Sequence, residues 1–251
     1  MSSVSAWQLA ASDLGSDGNL GSSSSSSRSM EIDHYTFEEN TTDEQLCAYV
    51  TQNRDLQGLD ISSCKNLTDT SLHAIAGLTR LTTFKSSSFC PFTENAYIQL
   101  FRSLNNLTSL RVCLSYFDMK SQVHHFKSDR VIAALPTTLE TLYLYGLGGI
   151  SDARYSLLGS LPLKDLSLVD AITLGNDGLE GISGNTQLES LYINGDDPIA
   201  RTNCPLNDEG LRCLMKQTKL RKLNIQGTSA SDKAVAKIKQ ALKIEYSENR
   251  Q

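Results

Sequence analysis

The sequence predicts an α/β solenoid, an arc with a parallel β-sheet on its concave face and helices on its convex face. Three observations carry this. A pattern Leu-x-x-Leu-x-Leu-x-x begins at Leu56, Leu81, Leu107, Leu139, Leu163, Leu188 and Leu220, with starts separated by 25, 26, 32, 24, 25 and 32 residues. Periods in this range mark stacked units that bury their apolar faces only against one another. Each unit reads as an alternating strand followed by a helical apolar pattern. A helix is about 10 Å wide and strands lie about 4.8 Å apart, so a one-directional stack of such units curves with its strands inside.

The elements follow in order. Residues 1–30 contain twelve serines, including Ser22 to Ser27. Such a stretch buries too little apolar surface to offset its ordering entropy, so a disordered tail is expected. Within it Val4, Trp7, Ala11 and Leu14 fall at helical spacing, a pattern suited to a short docking motif. The repeat domain is expected over residues 31–246. Thr42-Asp43-Glu44-Gln45 reads as a capping box that opens a first helix through Leu46, Tyr49 and Val50.

In each strand one face is buried, as around Leu59-Asp60-Ile61. Each later helix is announced by a polar pair: Thr68-Asp69, Thr93-Glu94, Ser128-Asp129, Ser151-Asp152, Asn176-Asp177, Asn207-Asp208 and Ser231-Asp232. The first residue accepts from orphan N–H groups, and the carboxylate sits at the positive end of the helix dipole. Pro136 and Pro162 fall where helices should stop. A last helix is expected near Ser231–Leu242, then an edge strand Lys243-Ile244-Glu245-Tyr246, then a frayed end at 247–251.

These residues resemble leucine-rich repeats over roughly 42–246. The first, LQGLDISSCKNLTDTSLHAIAGLTR, is similar to the cysteine-containing subtype of F-box and related ubiquitin-ligase receptors. The turn position of Cys64 reads Phe89, Ser115, Leu147, Ala171, Asp196 and Thr228 in later repeats. The resemblance implies a right-handed leucine-rich-repeat solenoid that binds proteins, as a recognition subunit or adaptor and in some relatives as a ubiquitin-ligase substrate receptor. No F-box is visible, and residues 1–41 are too polar to form one. An alternative keeps the fold: the serine-rich N-terminus would suit a bacterial secretion signal, making the chain an effector delivered into a host cell to act on host proteins.

Side-chain alternation places three columns on the concave face. The central one is Asp60, Lys85, Arg111, Tyr143, Ser167, Tyr192 and Asn224. It is preceded by Gly58, Thr83, Ser109, Thr141, Asp165, Ser190 and Lys222, and followed by Ser62, Ser87, Cys113, Tyr145, Val169, Asn194 and Gln226. Tyrosine and arginine are enriched at interface hot spots, so Lys85, Arg111, Tyr143, Tyr145, Tyr192, Asn194 and Asn224 are the expected partner-binding residues. The two 32-residue repeats carry insertions between strand and helix. Their residues Tyr116, Phe117, His124, His125, Asp197 and Arg201 are expected on one rim as a second contact region.

Little points to chemistry. The net charge of -5 gives no footprint for nucleic acid, and no apolar run reaches the length of a membrane span, so neither partner is expected. There is no apolar leader, and the six cysteines form no CxxC, which fits reduced thiols in a cytoplasmic setting. His124-His125 lacks zinc-ligand spacing, and Cys113 beside Arg111 has no identifiable histidine partner. Gly146-Leu147-Gly148-Gly149 lacks both phosphate-binding glycine patterns and reads as a tight turn. The chain is therefore expected to be a non-catalytic monomer with no metal and no cofactor.

Overall fold

The structure is a computed structural model that describes residues 34–87, 89–118, 122–125, 129–147, 149–193 and 204–244. The expectations for the serine-rich tail, Trp7, the segment 245–246 and the end at 247–251 lie outside these residues, as do Asn194, Asp197 and Arg201.

Eight parallel strands form one open sheet: β1 (His34–Thr36), β2 (Gly58–Asp60), β3 (Thr83–Lys85), β4 (Ser109–Cys113), β7 (Thr141–Tyr145), β8 (Asp165–Leu168), β9 (Ser190–Ile193) and β10 (Lys222–Asn224). Every neighbouring pair is parallel, and each strand pairs with the strand of the next repeat. Between the strands run α1 (Asp43–Gln52), α2 (Asp69–Ile75), α3 (Glu94–Ser103), α4 (Arg130–Ala133), α5 (Asp152–Tyr155), α6 (Asn176–Ile182) and α7 (Asp232–Leu242). Two segments tighten to 3₁₀ geometry, Ser156–Ser160 after α5 and Gly210–Lys216 in the last full repeat. Each helical segment packs on its neighbours in sequence, which makes the second layer.

The leucine pattern builds the core. Leu56, Leu81, Leu107, Leu139, Leu163, Leu188 and Leu220 are all buried. The second column, in strand register, is Leu59, Phe84, Leu110, Leu142, Leu166, Leu191 and Leu223, also buried throughout. Strand β1 adds an eighth, leucine-free unit that the sequence pattern does not announce. Its Tyr35 aligns with Leu59, stacks on Tyr49 with ring centroids 4.0 Å apart, and meets the buried Phe37 edge-on at 4.8 Å. An aromatic cluster thus covers the β1 end of the described sheet.

The polar pairs do more than cap helices. Thr42 completes a capping box, with Gln45 N–H donating to its hydroxyl at 3.4 Å and its own N–H donating to Gln45 Oε1 at 3.0 Å. The carboxylates that follow reach into the next repeat. Asp43 accepts from the N–H and hydroxyl of Thr68 at 2.9 and 2.6 Å, and Asp69 accepts likewise from Thr93 at 2.8 and 2.6 Å. Asp129 binds Ser151 and Asp208 binds Ser231 in the same two-pronged way. Asp152 Oδ1 takes the backbone N–H groups of Gly175 and Gly178. Asp43, Asp69, Asp129, Asp152 and Asp208 therefore form a ladder of carboxylates, each stapling one helix start to the next repeat.

Other expectations change. Ser151 spends its hydroxyl on Asp129 rather than on its own helix, and α6 begins at Asn176 itself, with Gly175 as its N-cap. Lys243 is a left-handed helix cap (φ 55), so residues 243–244 do not open an edge strand: Ile244 N–H turns back to Lys239 O. The first insertion is a β-hairpin rather than a loop, β5 (Ser115–Asp118) against β6 (Gln122–His125), with Tyr116 opposite His124 and Phe117 opposite Val123.

The cysteine column sits elsewhere than the spacing suggests. Cys90, not Phe89, follows Cys64, and its thiol donates to Cys64 O at 3.2 Å. Cys64 itself donates to Glu38 O at 3.4 Å, and Cys204 donates to Leu174 O at 3.1 Å, in the repeat where Asp196 was expected to hold that place.

Candidate functional site

The inner face of the sheet is the candidate site, because its register brings side chains from seven repeats onto one surface. The central column forms as the sequence predicts: Asp60, Lys85, Arg111, Tyr143, Ser167, Tyr192 and Asn224 are successive Cα partners, and β1 adds Thr36 beside Asp60. The strands are short because the chain must leave the sheet after the central residue or soon after. Gly146, Asp170 and Gly227, each three residues beyond that column, take positive φ of 74°, 58° and 72° to make the exit turn. The glycine cluster after β7 is thus accounted for at Gly146 by the turn.

At the middle of the sheet the Arg111 guanidinium lies over the Tyr143 ring, 4.8 Å from its centroid. Tyr145, one strand over from Cys113, lies on the same face. Burial pushes the Tyr145 hydroxyl above the usual phenol range, only partly offset by the nearby Arg111 charge. Tyr145 therefore stays neutral at physiological pH and presents a hydrogen-bonding tip on an apolar body. Tyr192 stands two strands from Tyr143, about 9.6 Å away at ordinary strand spacing. Between them Ser167 is only 3% exposed, so it forms the floor between two tyrosines rather than a contact surface.

The flanks of the column are committed internally. Lys85 pairs with Asp60 at 3.8 Å, with both side chains partly exposed. Asp60 also accepts from Ser62 N–H at 2.8 Å, and Asn224 accepts from Gln226 N–H at 3.1 Å. These short turns hold both side chains against the backbone, so Asn224 shapes its own strand exit. Gly58 leaves no room for a side chain, since an added Cβ would collide with the His34 ring.

Of the predicted contact residues, the structure gathers Lys85, Arg111, Tyr143, Tyr145 and Tyr192 on one face. Tyr116, Phe117, His124 and His125 belong to the separate hairpin. Sequence reasoning missed Phe89, which is 42% exposed at the strand-to-helix turn, with Lys65 Nζ 5.5 Å from its ring centroid. Its signal was a phenylalanine next to the cysteine column, where a buried residue was expected.

Among the described residues no group of three or more His, Cys, Asp or Glu gathers to hold a metal, and no helix is long and apolar enough to cross a membrane. Burial pushes the Cys90 thiol up to about 11 and also raises Cys64, which suits thiols acting as hydrogen-bond donors rather than nucleophiles.

No family model and no curated protein sequence matches the chain. Among solved structures, the leucine-rich repeat-containing protein LegL7 from Legionella pneumophila is similar with a TM-score of 0.50 and 17% identity, over 83% of this chain and 69% of that one. An internalin C2 from Listeria monocytogenes is similar with a TM-score of 0.48 and 18% identity, over 81% and 76%. At such identities the likeness concerns the fold. With the open eight-stranded parallel sheet it identifies an α/β leucine-rich-repeat solenoid.

Proposed function

We propose that this chain is a non-catalytic recognition module that binds a protein partner through the inner face of its sheet. The observation that carries the reading is the Arg111–Tyr143 stack at the sheet centre, with Tyr145 and Tyr192 on the same face. Tyrosine offers large contact area at low entropic cost, and arginine offers a planar charge already oriented by the ring. The strip runs across five neighbouring strands of an open sheet, an extent that suits a protein surface better than a small molecule.

The test is affinity capture with crosslinking, comparing wild type with Tyr143→Ala/Tyr192→Ala. Losing two hot-spot side chains should weaken partner capture by about tenfold or more. Both rings stand on the inner face of the sheet and neither belongs to the buried core, so the melting temperature should move by no more than a few degrees. Equal loss of folding and capture would make the tyrosines structural and overturn the reading.

The finer form of the proposal is an adaptor or ubiquitin-ligase substrate receptor, supported by the resemblance of the first repeat. It requires that ligase subunits be recovered with the wild-type protein. The serine-rich first thirty residues favour a second context, export of the same module into a host cell. Deleting residues 1–30 should then abolish secretion and leave in vitro partner binding intact.

A further inference from the structure

The net charge of -5 conceals a strong asymmetry. Residues 210–251 hold ten of the 23 Lys and Arg residues but only three of the 28 Asp and Glu residues, a balance of +7 against -12 for the rest. The structure gathers most of these cations at the C-terminal end of the solenoid. Arg212 and Lys216 lie on the last 3₁₀ segment, Lys219 and Arg221 on the turn into β10, Lys222 at the start of that strand, and Lys233, Lys237 and Lys243 on and just after α7, which packs beside the 3₁₀ segment. All eight are exposed. Lys219 donates to the neutral Gln187 and Arg221 to backbone carbonyls, and among the described residues none of the eight is in an ion pair. The carboxylates beside this surface include Asp208, which Ser231 engages, Glu209 and Asp232 at the helix starts, and Glu189, whose backbone carbonyl accepts from Arg221 and Lys222 N–H.

We propose that this end is a docking surface for an anionic lipid bilayer, independent of the protein-binding strip on the inner face. Clusters of this size on and around an amphipathic helix suit phosphatidylserine-type surfaces. Three features favour a bilayer over other polyanions. Seven of the nine cations in residues 210–244 are lysines, strongly hydrated point charges suited to a diffuse surface rather than to forked recognition of one group. No Phe, Tyr, Trp or His occurs in residues 210–244, so the described part of this end offers no ring to stack on bases and no aromatic anchor for a protein interface.

Met215 is 49% exposed among the cations, an apolar side chain available to the headgroup boundary. It lies three residues after Arg212, and side chains at that spacing share a face in a 3₁₀ helix. The acidic residues of the first repeats lie well away: the N-terminal strand is about 34 Å off at ordinary strand spacing, several Debye lengths at physiological salt.

The experiment is cosedimentation of the full chain with vesicles of phosphatidylcholine alone and of phosphatidylcholine with about one-third phosphatidylserine. Binding is expected only to the anionic vesicles, falling by about tenfold or more for Lys233→Glu/Lys237→Glu and in high salt. Tyr143→Ala/Tyr192→Ala should leave it unchanged. If the charge reversal compromises folding in a thermal melt, Lys216→Gln/Lys219→Gln/Lys222→Gln serves in its place with the same expected loss. Equal binding to neutral vesicles, indifference to both lysine variants, or tighter binding to duplex DNA than to the anionic vesicles would overturn the proposal.

Discussion

A carboxylate at a helix start has two available roles, and the distances decide between them. The dipole interaction is worth a few tenths of a kcal/mol on a surface, whereas a two-pronged hydrogen bond across repeats holds two stacked units in register. At Asp43 partial burial pushes the carboxyl up, and the hydrogen bonds from Ser71 and Thr68 outweigh it, so it titrates below its ordinary range. Asp129 is lowered in the same way, with burial outweighed by Ser151 and Arg154, and Asp208 is lowered by its bonds from Ser231. A carboxyl whose folded pKa lies below its unfolded value of about 3.9 contributes stability above that pH and loses it as pH falls through the folded value. The variant Asp43→Asn/Asp129→Asn/Asp208→Asn should therefore be less stable than wild type at neutral pH, with the gap narrowing in acid. Urea midpoints measured across that range would show it; parallel pH profiles would remove the carboxylates from the account. Asparagine should retain part of each link, because Asn176 Oδ1 already accepts from Asn207 N–H at 3.2 Å in one repeat.

Element by element, the strands were legible and the turns were not. A strand repeats its buried positions every two residues and its register every 25 or so, and both periods survive the substitution of one apolar residue for another. Phe84 in the leucine column reads as core for that reason. The cysteine column slipped because turns tolerate an extra residue at little cost, so counting from the strand put Phe89 where Cys90 sits. The hairpin β5–β6 was missed for another reason: its pairing depends on how residues meet across an insertion, which period alone does not encode. Strand β1 escaped notice because it carries Tyr35 and Phe37 where the pattern asks for leucine.

Ser86 is a further local exception. It occupies the buried column of Ile61 and Val112, and its hydroxyl lies 3.0 Å from the Tyr97 hydroxyl inside the core. Ser86→Ala should cost about 1–2 kcal/mol by taking a partner from a buried phenol. Combined with Tyr97→Phe, the loss should fall short of the sum of the single changes by about 0.5 kcal/mol or more. Strict additivity in denaturation midpoints would show that the pair is incidental.

At the scale of the whole molecule, a solenoid has no central core that every element shares. Each unit is stabilised by its two neighbours, so the cost of a lesion depends on where it falls along the stack. Leu142 is fully buried in β7, between β4 and β8, and Leu223 is buried in β10, which has a described strand on one side only. An aspartate at either position puts an unpaired carboxylate into an apolar layer. At Leu142 the damage has repeats on both sides to spread into, and the loss should reach several kcal/mol. At Leu223 the end unit can fray while the rest of the stack keeps its contacts. Hydrogen exchange should then show Leu142→Asp exposing amides of β4, β7 and β8 together, and Leu223→Asp exposing β10 and α7 alone. The Arg111–Tyr143 strip lies on β4 and β7, so Leu142→Asp should also abolish capture at that face, whereas Leu223→Asp should spare it and remove the lysine-rich end from any bilayer. Identical exchange patterns for the two variants would mean that the chain unfolds as a single unit and that the nearest-neighbour account is wrong.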